Sequence, residues 1–94
     1  MLRNFNDPLY KQWRKNIYSR DHYKCQWPNC TFKQKLNAHH IKTWANYPNL
    51  RYDINNGITL CSIHHKMVKG LEHIYESTFL KILFDNKNNK EDNQ

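Results

Sequence analysis

The stretch Leu36-Asn37-Ala38-His39-His40-Ile41-Lys42 places two adjacent histidines inside a short segment of mixed apolar and polar residues. Neighbouring side chains of a strand point to opposite faces, so His39 and His40 would lie on opposite faces of this strand. Near the end of a strand, one imidazole could hold a metal ion while the other addresses a substrate water. Two polar residues at a strand end need no function, so this interpretation depends on what stands downstream: Asn56, then Cys61-x-x-His64-His65.

The composition indicates one small cationic domain. A chain of 94 residues has room for a single domain, and a structural metal would help so small a core to fold. The chain has 15 Lys and Arg against 8 Asp and Glu, and its net charge of +7 favours a polyanion as partner. The alternative is that the cationic surface only aids solubility.

The cysteine count and the hydropathy bear on the cellular setting. Three cysteines cannot all pair with one another. The N-terminus has no apolar signal core, and no run approaches the roughly 18 apolar residues of a membrane span. We therefore expect an intracellular protein, in a bacterial cytoplasm or a phage-infected host, with no membrane partner. Thiols stay reduced there, and clusters of Cys and His usually bind metal.

Helices are predicted at both ends of the chain. Asp7-Pro8 is a helix start, and Leu9, Trp13 and Ile17 follow at helical spacing, which predicts a helix over residues 7–20. An apolar stripe predicts a last helix over residues 71–84. Residues 85–94 are all polar, so we expect a disordered tail there and a folded domain at 1–84.

Two strands and a short helix are predicted between these ends. The first strand covers residues 31–41, and a long loop at 42–56 is expected to pack on its own aromatic residues. A short apolar strand follows at 58–60. Ser62 can cap a helix over residues 63–69, and Gly70 is placed to end it.

The cysteines predict a zinc site together with one histidine. Cys25 and Cys30 form a C-x4-C pair, and Cys61 and His64 form a C-x2-H pair. Tetrahedral Zn²⁺ accepts this Cys3His set, and four protein ligands leave no open position, so the metal would be structural. The alternative is three buried thiols that act as small hydrophobic side chains. A C2H2 finger fits badly, because no H-x3–5-H pair follows the first cysteines.

Basic residues on the first helix are candidates for contacts with a phosphate backbone. The alternative for any one of them is a solvated face opposite an apolar stripe. The candidate DNA-binding residues are Lys11, Arg14, Lys15, Arg20 and Lys42.

Taken in order, these features resemble the HNH endonuclease family, in its small, phage-encoded, zinc-knuckle form. The resemblance runs from about residue 7 to 84, and the ordered series is much more specific than any single piece. It rests on Trp13-Arg14, Arg20-Asp21, Tyr23-Lys24-Cys25, Ala38-His39-His40-Ile41, the segment from Tyr52 to Cys61, and His64-His65.

The resemblance implies a role for each matching position. His40 matches the general base, while His39 and His65 match ligands of a catalytic divalent cation, for which Mg²⁺, Mn²⁺, Ni²⁺ and Zn²⁺ all remain open. Asn56 matches the residue that steadies the loop between the strands. The implied fold is α+β, a small ββα-metal core with a structural zinc knuckle and flanking N- and C-terminal helices. The implied partner is double-stranded DNA, with phage packaging proteins as further candidates.

Three positions depart from the family pattern. The knuckle is C-x4-C where C-x2-C is usual, and His64 stands where a fourth cysteine is common. Lys69 stands where some relatives carry a further histidine, so water or a DNA phosphate would complete the shell of the catalytic ion.

These features lead to two competing hypotheses. The first is a metal-dependent DNA endonuclease in which an imidazole that titrates near neutral pH activates water. The second is a non-catalytic, zinc-stabilised module that binds nucleic acid and has no need of His40. A module that binds only protein is disfavoured by the net charge. Divalent-dependent cleavage of DNA separates the first two.

Overall fold

The computed structural model describes residues 4–92, with side chains described up to residue 88, and the fold is α+β as predicted. A two-stranded antiparallel sheet runs between an N-terminal helix and two further helices. The second strand leads directly into the second helix, which makes the ββα unit that the resemblance implied. The elements are α1 (Pro8–Arg20), β1 (Leu36–His40), β2 (Gly57–Cys61), α2 (Ser62–Val68) and α3 (Glu72–Asp92).

Helix α1 begins as its sequence predicts. The Asp7 side chain caps it by accepting a hydrogen bond from the Leu9 N–H at 2.9 Å, and proline occupies the first turn. The buried face is Tyr10, Trp13 and Ile17, whereas Leu9 is 61% exposed. The apolar stripe is therefore displaced by one residue at its start from the predicted one.

The sheet separates two cores because side chains alternate along each strand. In β2, Ile58 and Leu60 join a cluster with residues of α2 and α3. Gly57 and Thr59 face α1 instead: the Thr59 hydroxyl reaches the Ile17 carbonyl, and the Thr59 N–H donates to the Asp21 carboxylate. All of β2 is buried, since helices cover both of its faces.

The pairing register assigns the two histidines to different cores. His39 lies opposite Ile58 and His40 lies opposite Gly57. His39 accordingly faces α2 and α3, and His40 faces α1. The opposite orientation predicted for the two imidazoles is what the register produces.

Gly57 is required by the close approach of α1 to this strand. A Cβ at this position would lie 2.5 Å from Cζ2 of Trp13 and 2.7 Å from Cδ1 of Ile17. Contacts that short are not tolerated, so any larger residue would push α1 away from the sheet. Trp13 thus lies directly on the backbone of β2.

Strand β1 is shorter than the sequence predicted. Residues 31–35 lie outside it, because the Cys25 N–H bonds to the Phe32 carbonyl at 2.9 Å and Lys35 adopts a positive φ of 52°. Helix α2 begins at Ser62, where the sequence analysis placed a cap, and the capping residue is Cys61. Gly70, with φ of 85°, follows α2 as predicted.

Helix α3 extends beyond the predicted end at residue 84 and runs to Asp92. Residues 85–92 thus lie within the helix, where the sequence predicts a disordered tail over 85–94, and residues 93–94 lie outside the described part of the chain. Lys81 pairs with Asp85 at 2.8 Å, and the Asn86 side chain donates to the Gln26 side chain at 2.9 Å. These contacts support the polar C-terminal part of the helix. None of the described helices is long and apolar enough to cross a membrane.

Candidate active site and metal centre

The predicted knuckle residues converge in the structure. The ligand atoms of Cys25, Cys30, Cys61 and His64 all lie within 4.8 Å of one another. Nδ1 of His64 is 3.5 Å from Sγ of Cys25 and 3.3 Å from Sγ of Cys61. On a tetrahedral Zn²⁺ with ordinary bond lengths, a sulfur and a nitrogen ligand stand about 3.6 Å apart. The chemistry and the spacing of this Cys3His group therefore fit a structural zinc ion.

The thiols of the knuckle differ in their surroundings. Burial raises the pKa of the Cys25 thiol to about 11. Burial acts on Cys61 in the same direction, but hydrogen bonds from the backbone N–H groups of His64 and Ile63, joined by the neighbouring thiols, lower its pKa overall. The start of α2 thus favours a thiolate at Cys61, as expected of donors at a helix N-terminus.

Aromatic side chains connect the knuckle to the rest of the core. Trp27 stacks on the ring of His64, with centroids 4.8 Å apart and planes at 7°. Trp27 also contacts Phe79 of α3 edge-on, at 6.2 Å. Phe79 is 1% exposed, so the knuckle is packed against the centre of the molecule.

His39 and His65 form the second group of candidate ligands. Their ring centroids are 5.6 Å apart with planes at 71°, and His39 rests against Phe79 at 5.5 Å. Two imidazoles that share one ion through bonds of about 2.1 Å have centroids about 5 Å apart. The pair therefore fits a divalent cation by spacing and by donor type.

His40 lies on the opposite face of β1, in an aromatic surround. It is 5% exposed, and its Nε2 lies 2.9 Å from the carbonyl oxygen of Arg51. A carbonyl can only accept, so Nε2 carries the proton and Nδ1 keeps the lone pair in the neutral ring. Trp13 stacks on the imidazole. The rings of Trp44 and His40 meet edge to face, and the ring of Tyr10 lies 6.4 Å from the imidazole.

Asn56 links both ends of the loop at 42–56. Its Oδ1 accepts from the Lys42 N–H at 2.8 Å, and its Nδ2 donates to the carbonyls of Lys42 and Leu50 at 3.0 and 3.1 Å. Asn56 is 5% exposed, so these bonds satisfy groups that water does not reach. These bonds hold Asn56 against Lys42 and Leu50 within the loop.

A second contact fastens the middle of the same loop. The Arg51 guanidinium lies 4.5 Å above the ring of Trp44, and its Nε donates to the Trp44 carbonyl at 2.8 Å. Arg51 also provides the carbonyl that contacts His40. The loop therefore restrains the direction in which Nε2 of His40 points.

An open cavity of about 670 Å³ lies between α1, β1 and the loop. His39, His40 and His65 all line it. Its rim also carries charged residues from different elements: Arg14 from α1, Lys69 from the end of α2 and Glu72 from the start of α3.

The predicted DNA-binding residues occupy different environments. Lys11, Arg14 and Lys15 are exposed on α1. Arg20 is engaged within the protein: its guanidinium contacts the Asp21 carboxylate and donates to the carbonyls of Ile54 and Gly57. Lys42 pairs with Glu76 at 2.8 Å, and this hydrogen bond raises the pKa of Lys42.

Several residues in or beside the candidate site carry no functional signal in the sequence. Trp13 was assigned to the apolar face of α1, and nothing in helical spacing shows that its ring covers His40. The sequence predicts that Trp44 packs within the loop, but it indicates neither the contact of Trp44 with His40 nor any role for Arg51. Glu72 has no signal in the sequence, since a glutamate in the first turn of a helix is ordinary.

A ββα unit with a Cys3His knuckle and a histidine pair in an open cavity defines a zinc-knuckle ββα-metal domain. Comparison with family models gives the HNH endonuclease family as a match over residues 25–69. The segment 25–69, which contains the knuckle and the histidine pair, therefore matches the HNH endonuclease family, whose members are nucleases that act on nucleic acid. Neither the curated proteins nor the solved structures with which the chain was compared gave a match.

Proposed function

We propose that the protein is a metal-dependent DNA endonuclease in which His40 is the general base and His39 and His65 bind a catalytic divalent cation. One observation carries the proposal: adjacent histidines on opposite faces of β1 line the same cavity, one beside His65 and the other bonded to a loop carbonyl. A structural role would require neither the shared cavity nor the third histidine.

The residues of the chain supply the proton transfer. With Nε2 of His40 donating to the Arg51 carbonyl, Nδ1 is the nitrogen that accepts a proton from an attacking water. Asn56 holds the loop that carries this carbonyl, so it maintains the position of the base without contacting substrate. A divalent cation would supply Lewis-acid stabilisation of the charge that develops on the phosphate.

Substrate binding follows from the rim of the cavity. Arg14 lines the cavity, and Lys11 and Lys15 are exposed on the same helix. Because Arg14 lines the same cavity as the histidines, its guanidinium would contact a phosphodiester backbone that crosses this cavity. We retain Arg20 and Lys42 as candidates, although both already have partners in the protein.

The substrate, the cellular location, the domain bounds and the partners are proposed as they were from the sequence. We propose duplex DNA as the substrate, an intracellular location, and a nuclease domain at residues 1–84. Phage packaging proteins are candidate partners on the resemblance alone.

A cleavage assay tests the proposal. Supercoiled plasmid is incubated with the protein and Mg²⁺, Mn²⁺ or Ni²⁺, with EDTA as control, and cleavage is expected with at least one cation and not with EDTA. His40→Ala should keep its zinc and its affinity for DNA and cleave about 10²–10⁴-fold more slowly. His73→Ala, an exposed histidine of α3, is the matched control and should cleave as the wild type does. DNA binding without divalent-dependent cleavage would favour the non-catalytic module.

A further inference from the structure

The ring of Trp13 lies flat against the imidazole of His40. Their centroids are 3.9 Å apart and their planes differ by 10°. Trp13 is 2% exposed and His40 is 5% exposed, so the contact is sealed from solvent. A parallel stack this close leaves the imidazole no room to tilt toward α1.

The indole is itself fixed on the sides that do not face His40. Its Nε1–H donates to the Asp53 carbonyl at 2.9 Å, which holds the plane of the ring. Its edge lies against Gly57, where even one added carbon would come within 2.5 Å of Cζ2. Trp13 is therefore a rigid surface, held by the loop and by the backbone of β2.

Two constraints of different kinds determine the orientation of an imidazole. The hydrogen bond to Arg51 restrains the direction of Nε2, but a single bond leaves the ring able to rock about the line through that nitrogen. A flat stack opposes this rocking and leaves rotation within the plane free. Together they determine where the lone pair of Nδ1 points.

We propose that Trp13 is a positioning residue for the general base, whose stacked face keeps Nδ1 of His40 aimed at the attacking water. The inference rests on the proposed role of His40. The positioning role requires a flat ring at position 13. A core role does not, because any apolar side chain of similar volume could be buried among Tyr10 and Ile17.

The first test compares flat and non-flat replacements. Trp13→Met keeps an apolar side chain without a flat face, and Trp13→Phe keeps a smaller flat ring. We expect kcat to fall about 10–100-fold in Trp13→Met and about threefold in Trp13→Phe, with KM little changed, since small misplacements of a reacting group cost rates of this order. Equal kcat values for wild type and both variants would overturn the inference.

Ile17→Ala is the matched control for weakened packing. Ile17 is fully buried in the same cluster and lies against Gly57 beside Trp13. This variant should melt at a lower temperature than the wild type, because it leaves a cavity in the core. At temperatures well below its melting point, its kcat should equal that of the wild type. If the kcat values of Ile17→Ala and Trp13→Met fall in proportion to their stabilities, Trp13 has only a core role.

A double-mutant cycle with His40→Ala gives the decisive readout. Once the base is absent, nothing remains for Trp13 to position, so Trp13→Met should cause no further loss of kcat in that background. An equal fold loss in both backgrounds would overturn the inference. If Trp13→Met does not fold, the same cycle with Trp13→Phe decides, because a threefold effect is measurable.

The outcomes separate the inference from the proposed function. Absence of divalent-dependent cleavage by the wild type refutes both. Slow cleavage by His40→Ala, combined with wild-type kcat in Trp13→Met, refutes the role of Trp13 and leaves that of His40 intact. NMR adds a readout independent of activity: the ring current of Trp13 should shift the His40 ring protons upfield in the wild type and Ile17→Ala, but not in Trp13→Met.

Discussion

The zinc knuckle and the histidine cavity both pack against one side chain, Phe79, yet they differ in how many candidate ligands they bring together. Trp27, stacked on His64, contacts one side of Phe79, and His39 contacts it at 5.5 Å. The knuckle brings four ligand atoms within 4.8 Å of one another. The cavity offers two imidazoles beside about 670 Å³ of open space.

This difference is the one expected if the knuckle holds a structural metal and the cavity holds the proposed catalytic one. A full set of protein ligands stabilises the fold and leaves no position for a substrate, whereas an incomplete set leaves room for water and phosphate. A structural metal site contributes to folding free energy, so loss of the knuckle should also disturb the cavity, which packs on the same Phe79. Loss of a side chain in the cavity should leave the knuckle intact. The predictions below test this asymmetry, from the largest expected effect to the smallest.

Removing a knuckle ligand should have the largest effect. Cys30→Ser is expected to lose zinc and to unfold at ordinary temperature, because the binding free energy of a structural zinc site is folding free energy. Zinc content and circular dichroism on heating measure this. Thr31→Ala, an exposed neighbour, serves as control and should match the wild type. A Cys30→Ser protein with wild-type melting and stoichiometric zinc would remove the structural role of the knuckle.

His65→Ala should affect only the cavity. We expect cleavage to fall at least about 10²-fold at low divalent concentration, with partial recovery as Mn²⁺ is raised, because the ion has one ligand fewer. Calorimetric titration with Mn²⁺ should show weaker binding, and zinc content should be unchanged. Rates that fail to respond to added metal, with Mn²⁺ affinity equal to that of the wild type, would show that His65 is not a ligand.

Asn56→Ala tests whether the loop positions the base. The substitution leaves the Lys42 N–H and two carbonyls without their side-chain partner, so the free energy of unfolding should fall by about 3 kcal/mol. Denaturant titration measures this decrease, and kcat should fall while zinc and Mn²⁺ affinities stay unchanged. Asn55→Ala, the exposed neighbour, provides the control. Wild-type stability in Asn56→Ala would show that these bonds do not hold the loop.

The features that could be predicted from the sequence are those that local spacing determines. The Cys3His ligands follow from two short spacings, and the opposite faces of His39 and His40 follow from strand geometry alone. The cap at Asp7 and the end of α2 near Gly70 were likewise local features.

Other features depend on contacts between distant segments. Helical spacing marks Trp13 as buried, but only the position of α1 on β2 brings its ring onto His40. The length of α3 depends on polar contacts such as that of Asn86 with Gln26. None of these partners lies close in sequence, so no window of residues contains the signal.

The smallest expected effect concerns the exposed basic face of α1. If Lys11, Arg14 and Lys15 contact phosphates, their joint change to Ala should weaken DNA binding equally for all sequences. The slope of log K against log salt should fall by up to about 0.9 for each phosphate that the variant no longer neutralises. Fluorescence anisotropy across a range of salt concentrations measures both quantities. The matched control changes Lys33, Lys81 and Lys87 to Ala, which removes the same charge from other parts of the surface. Equal slopes for both triple variants would mean that α1 acts only through net charge, whereas a decrease confined to the α1 variant would place the DNA along the helix that carries Arg14 to the cavity.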